Sequence, residues 1–187
     1  GSTPRMAYQL LVGADTDWSY WHIYFGDERC LPMDDPERNS VMAQKAWLDH
    51  VAIPQNQIYS IAAEIGAEGG AAAYSSVVEK ALSSNMAFDM VLLGMGEDGH
   101  TASLFPGHHH NESELVHAVH QAPKPPADRV SLSLACLAHS RQIVLLVTGA
   151  SKHNALTLWS AGESLPVASL RSDGEILLLV DRVAIDG

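Results

Sequence analysis

The sequence predicts an α/β layer fold with a largely parallel sheet and helices on both faces. Three observations predict it. Short apolar runs alternate with helix-patterned stretches along the chain, the arrangement that parallel sheets with crossover helices require. Charged and glycine-rich clusters sit at the carboxyl ends of those runs, where open α/β sheets bind ligands. Finally, 187 residues with 47% hydrophobic content suit one domain with a substantial core. There is no internal repeat and no domain linker, so residues 1–187 read as a single domain.

In chain order, Thr3 to Leu11 has helical spacing, and Trp21 to Phe25 reads as a buried strand followed immediately by the charged cluster Gly26-Asp27-Glu28-Arg29. Asn39 to Val51 and Gly69 to Ser83 read as helices, with Asn39 and Ser40 as caps for the first and a short strand at Ile58 to Ile61 between them. Phe88 to Leu93 is an apolar strand. After it come Gly94-Met95-Gly96-Glu97-Asp98-Gly99-His100 and a short helical stretch stopped by Pro106-Gly107. The irregular segment from Gly107 to Pro126 carries one short strand at Leu115 to Val119. Strands at Val130 to Leu134 and Ile143 to Val147, a helix from Lys152 to Ser160 and a strand at Ile176 to Val180 complete the reading.

A formal charge of -11 disfavours nucleic-acid and anionic-membrane partners, which are bound through clustered Lys and Arg. A small anionic substrate remains open if a local pocket gathers a few basic residues. Cys30 and Cys136 lie far apart without a C-x-x-C spacing, which points to free thiols in the cytoplasm. No apolar run is long enough to span a bilayer, and no signal-peptide pattern opens the sequence.

Gly94, Gly96 and Gly99 match G-x-G-x-x-G after a strand, the fingerprint of a dinucleotide site. The match fails on context: Pro106 ends the following segment early, and no acidic residue caps a strand farther on. The same glycines let the backbone turn sharply and deliver Asp98 and His100 to the mouth of the sheet. Imidazole ordinarily titrates at about 6.5, so a neutral histidine there can take a proton from water. His100 is therefore the candidate general base, with Asp98 orienting it or binding substrate; the plainer alternative is that His100 caps a helix start. Ser103 lies outside a G-x-S-x-G elbow, so water is the expected nucleophile. Asp98, His108, His109, His110, Glu112, His117 and His120 lack metal-site spacing, so no metal is expected, and the triple histidine reads as a solvated loop.

Gly1-Ser2-Thr3-Pro4 precedes a helix, so Ser2 and Thr3 are candidates for holding phosphate at its positive end. Gly1-Ser2 also reads as a vector scar. Arg29, Lys124, Arg129 and Lys152 are candidates for the cationic side of a pocket, although singly each is more often surface charge.

Taken together, Gly26-Asp27-Glu28-Arg29, the run from Gly94 through His100 to Pro106-Gly107, and Pro123-Lys124-Pro125-Pro126 with Arg129 resemble bacterial-type 6-phosphogluconolactonases in order and spacing. The resemblance covers essentially the whole chain. It implies an isomerase-like Rossmannoid architecture, no metal or organic cofactor, 6-phosphogluconolactone as the partner, and a histidine at His100 acting as base. It also makes Gly1-Ser2-Thr3-Pro4 the second half of the family's phosphate loop, with the preceding strand and helix missing, an N-terminal truncation that would expose a sheet edge. The expected reaction is hydrolysis of the lactone to 6-phosphogluconate, the phosphate held by Ser2, Thr3, Arg129 and Lys152. Arg29 and the loop amides would stabilise the oxyanion, and Lys124 could contact either end.

Two alternatives stand beside it. An amino-sugar-phosphate isomerase or deaminase shares the D-G-H core, but Phe105 occupies the position of its catalytic glutamate and Arg29 that of its tyrosine. A non-catalytic sugar-phosphate-binding protein would keep the pocket without the chemistry.

Overall fold

The structure, a computed structural model, describes residues 1–83, 86–109 and 111–187; of the histidines singled out above, His110 lies outside the described residues. Two parallel ladders carry the fold. Strand β1 (Ile23–Tyr24) pairs with β3 (Ile58–Tyr59), and β4 (Val91–Gly94), β7 (Gln142–Val147) and β8 (Glu175–Val180) form a sheet in the order β4-β7-β8. Its register sets Val91 beside Ile143 and Ile143 beside Ile176. Central β7 is almost wholly apolar, as a strand covered on both faces must be, and Ile143, Leu145 and Val147 are fully buried.

A third, antiparallel sheet joins β2 (Asp27–Arg29), β6 (Arg129–Leu132) and β5 (Val116–Val119) in the order β2-β6-β5. Gly26 to Arg29, expected as a charged cluster beyond a strand, is thus largely a strand itself. Alternation along β2 buries Glu28 completely and turns Asp27 and Arg29 to the other face, so a charged sequence masks a pairing set by position.

Six α-helices flank these ladders among the described residues: α1 (Ser2–Leu11), α2 (Asn39–Ala46), α3 (Ala67–Ala81), α4 (Leu134–Ala138), α5 (His153–Ser160) and α6 (Arg182–Asp186). Gly70 lets α3 lie against β6, since a Cβ there would come within 2.9 Å of Val130 Cγ2. Buried Tyr74 on α3 accepts from the Phe25 amide at 2.8 Å and donates to the Tyr59 carbonyl at 3.2 Å, tying β1 to β3 beyond their ladder.

Two local expectations are corrected. Neither Asn39 nor Ser40 caps α2 with its own side chain. The buried Glu28 carboxylate does so, accepting from the Asn39 amide at 2.8 Å and from the Ser40 amide and hydroxyl at 2.9 and 2.7 Å. The stretch after His100 is not helical. Thr101 Oγ1 donates to the Gly94 carbonyl at 2.9 Å, Ala102 takes a φ of 48°, and Thr101 and Leu104 bridge, so tertiary bonds pull the backbone into turns. Helices α4 and α6, both only five residues, escaped the sequence reading; Ser133 and Asp181 cap them by accepting from the Cys136 and Ala184 amides.

Candidate active site

The site is built on the loop that leaves β4. The Gly96 amide donates to the His100 carbonyl at 2.8 Å and the Gly99 amide to the Gly96 carbonyl at 3.1 Å, closing a tight turn in which Gly99 has φ +80°. The His100 ring lies directly over Gly96: a Cβ at position 96 would sit 2.0 Å from His100 Nδ1 and 2.6 Å from Asp98 Oδ1. Asp98 Oδ1 accepts from the His100 amide at 3.2 Å and lies 2.5 Å from His100 Nδ1. Burial pushes the Asp98 carboxyl up, but the hydrogen bonds from His100 outweigh it and hold the group below the usual range, so it stays ionised at neutral pH. An ionised acceptor on Nδ1 fixes that nitrogen as the N–H, which leaves the Nε2 lone pair as the basic site. The sequence-predicted pair is therefore brought together.

Behind the ring lies buried Phe105, its centroid 4.7 Å from that of His100, and the Arg129 guanidinium sits 5.6 Å above the phenyl centroid. Buried Arg129 donates from Nη2 to the Lys124 carbonyl at 2.9 Å and the Pro125 carbonyl at 3.3 Å, and from Nε to the Pro126 carbonyl at 3.2 Å. It thus shapes the proline loop that presents Lys124. Desolvation pulls the Arg129 pKa down, with the Asp27 charge opposing.

Lys124 Nζ pairs with Glu97 at the exposed rim of the His100 turn. Lys152 ends the short turn Ala150–Lys152; burial lowers its pKa, and it feels the charges of Glu97, Lys124 and Asp98. Lys124 and Lys152 therefore belong to the electrostatic surroundings of the His100 loop. The α1 end is joined to this region through Thr3, whose Oγ1 lies 2.6 Å from Thr148 Oγ1, just before the turn that carries Lys152. Ser2 lines a separate cleft with Gly1, Arg5, Arg29, Arg38 and Asn39. Arg29, considered above for the oxyanion, lines this cleft at the α1 start and donates to the Glu37 carbonyl.

Asp27, Asn39 and Ser103 were missed as site residues. Ser103 Oγ donates to Asp27 Oδ2 at 2.6 Å and Asn39 Nδ2 to Asp27 Oδ1 at 3.0 Å; burial pushes the Asp27 carboxyl up, with the Ser103 hydrogen bond and the Arg129 and Arg29 charges opposing. The clue was the Asp-Glu-Arg triplet itself: in a strand, Asp27 and Arg29 share a face that Glu28 does not.

Residues 1–178 match the family described as glucosamine-6-phosphate isomerases/6-phosphogluconolactonase. The chain belongs to this family. It is 39% identical to the 6-phosphogluconolactonase of Mycobacterium tuberculosis, with 96% of this chain and 78% of that protein covered. Identity with the Streptomyces coelicolor 6-phosphogluconolactonase is 40%, over 90% of this chain and 70% of the relative. The solved structure of Thermotoga maritima 6-phosphogluconolactonase superposes with a TM-score of 0.88 at 26% identity, over 95% of this chain and 80% of that one. A monomeric glucosamine-6-phosphate deaminase superposes with a TM-score of 0.83 at 23% identity, over 100% of this chain and 84% of that one, which shows a shared fold.

Proposed function

We propose that the chain hydrolyses 6-phospho-D-glucono-1,5-lactone to 6-phosphogluconate, the step named for its relatives and part of the oxidative pentose phosphate pathway, with His100 as general base. The observation that carries the reading is the His100–Asp98 pair: an ionised carboxylate on Nδ1 leaves the Nε2 lone pair as the basic site, with Lys152 and the Lys124–Glu97 ion pair in its electrostatic surroundings.

Nε2 takes a proton from water as its oxygen bonds to the lactone carbonyl carbon, and the carbonyl electrons move onto oxygen. The Gly96 and Gly99 amides are occupied by the turn, so Lys152, beside Asp98 and Glu97, is the candidate cation for the oxyanion. Collapse of the intermediate breaks the ring C–O bond, and the leaving oxygen recovers the proton from the imidazolium. Ser2 and Thr3 at the start of α1, with Arg29 and Arg129, would hold the phosphate. No step requires a metal.

Phe105 supports this reading against the isomerase alternative. A phenyl ring buried between His100 and Arg129 cannot exchange protons with a sugar ring oxygen. Burial pushes the free thiols of Cys30 and Cys136 up to about 11 and about 12, which suits inert thiols and the cytoplasmic setting we assign.

Hydrolysis yields a carboxylic acid, so proton release at neutral pH follows it directly. The expected result is rapid acid release from the phosphorylated lactone, slow release from unphosphorylated gluconolactone, and no ammonia from glucosamine 6-phosphate. Ammonia release without lactone turnover would reverse the assignment.

A further inference from the structure

Ser103 is fully buried two residues beyond Thr101, in the same loop as His100, yet it plays no part in the proton transfers above. Its hydroxyl donates to Asp27 Oδ2 at 2.6 Å, and its amide donates to Ser131 Oγ at 3.2 Å. Asp27 and Ser131 are themselves paired across the β2–β6 ladder. The other Asp27 oxygen accepts from Asn39 Nδ2 at the start of α2. One carboxylate therefore joins three elements: the loop that carries the base, the strand pair that carries Arg29 and Arg129, and the helix that borders the α1 cleft.

We propose that Ser103 and Asp27 are a positioning pair that fixes the His100 loop relative to the arginine-bearing strands. The inference rests on the lactonase reading, because it matters for a substrate gripped at one end and attacked at the other. Such a substrate reacts only when the distance between grip and base is right, and a misplacement of about 1 Å can cost about 100-fold in rate. Near Asp98 the loop is held by its own short-range bonds and by the Val167 amide donating to the Gly99 carbonyl at 3.1 Å, so His100 can keep its local geometry while the Ser103 end, left with its amide bond to Ser131 Oγ, shifts relative to β2. Among the described residues, the Ser103 hydroxyl is the side-chain bond from this loop to β2. Thr101 is bonded back to Gly94 within the loop's own root and cannot substitute for it.

Loss of the tie should lower kcat, because the ground state can still bind through its phosphate, and should leave KM nearly unchanged. The test compares the full chain with Ser103→Ala, Ser103→Thr and Ser103→Cys, using lactone hydrolysis for kcat and KM and thermal melting for fold. Ser103→Ala should lose about 10- to 100-fold in kcat with KM within about 3-fold of the parent. Ser103→Thr, which keeps the hydroxyl, should recover most of that loss. Ser103→Cys keeps the volume but donates weakly, and should fall between. Should the alanine variant not fold, the cysteine variant decides: lowered kcat at unchanged KM sustains the proposal, and parental kcat overturns it. Parental kcat in folded Ser103→Ala, or a threonine variant no better than alanine, also overturns it. A parent chain that leaves the lactone untouched refutes the reading of the site itself, which separates the two failures.

Discussion

Gly96 shows how closely the proposed site can depend on a missing atom. The His100 ring and the Asp98 carboxylate occupy the space that a Cβ at position 96 would need, so Gly96→Ala must push the ring away or open the turn. The substitution should reduce kcat by about 100-fold or more, with a melting temperature close to that of the parent, measured by initial rates and thermal denaturation. Glycine, aspartate and histidine at this spacing were legible in the sequence because turn chemistry and imidazole chemistry are local. Asp27 and Ser103 were not, because their meaning depends on a contact between residues far apart in the chain. A buried serine in the loop of the proposed base reads as filler until its partner is known.

At the level of elements, helix α2 is held by a residue that sequence reasoning assigned elsewhere. Fully buried Glu28 caps it and lies 3.4 Å from Arg38, whose guanidinium also reaches Glu64 and the Ile61 carbonyl. Glu28→Ala leaves Arg38 buried with part of its compensation removed and uncaps the helix. Urea denaturation should show a loss of about 3–5 kcal/mol. His120 offers a smaller, pH-dependent tie. It bonds Asp128 at 2.8 Å and Glu68 at 3.1 Å, joining the start of α3 to the base of the loop that carries Lys124. The hydrogen bonds to Asp128 and Glu68 raise its pKa, so its contribution to stability is fully present below the ordinary histidine value and is lost as pH rises through the folded value. The ring is half exposed, which limits the effect to under about 1 kcal/mol. Denaturation of the parent and His120→Gln should differ below the ordinary histidine range and converge as the pH rises above the raised folded value. Every expected strand was found within a few residues, because apolar runs of four to six residues speak for themselves. The antiparallel β2 was hidden by its charges, and the helix expected after His100 was overridden by tertiary hydrogen bonds.

For the whole molecule, the alternation of strands and helices made the α/β class readable, whereas the division of the strands into two parallel ladders and one antiparallel sheet depends on long-range pairing. Edge strand β8 leaves Ile176, Leu177, Leu178 and Leu179 each 40–46% exposed. A flat apolar edge invites pairing between copies. Light scattering should therefore show concentration-dependent association that Leu178→Lys reduces. Function is the property on which all scales converge, and one measurement addresses it most directly: the decay of freshly generated 6-phosphogluconolactone at neutral pH in buffer alone, with the parent chain, and with His100→Ala shown to be folded by circular dichroism. The chain should accelerate the decay well beyond the spontaneous rate, and His100→Ala should lose about 10²–10⁴-fold of that acceleration. A folded His100→Ala that works as fast as the parent would contradict the assignment of the base.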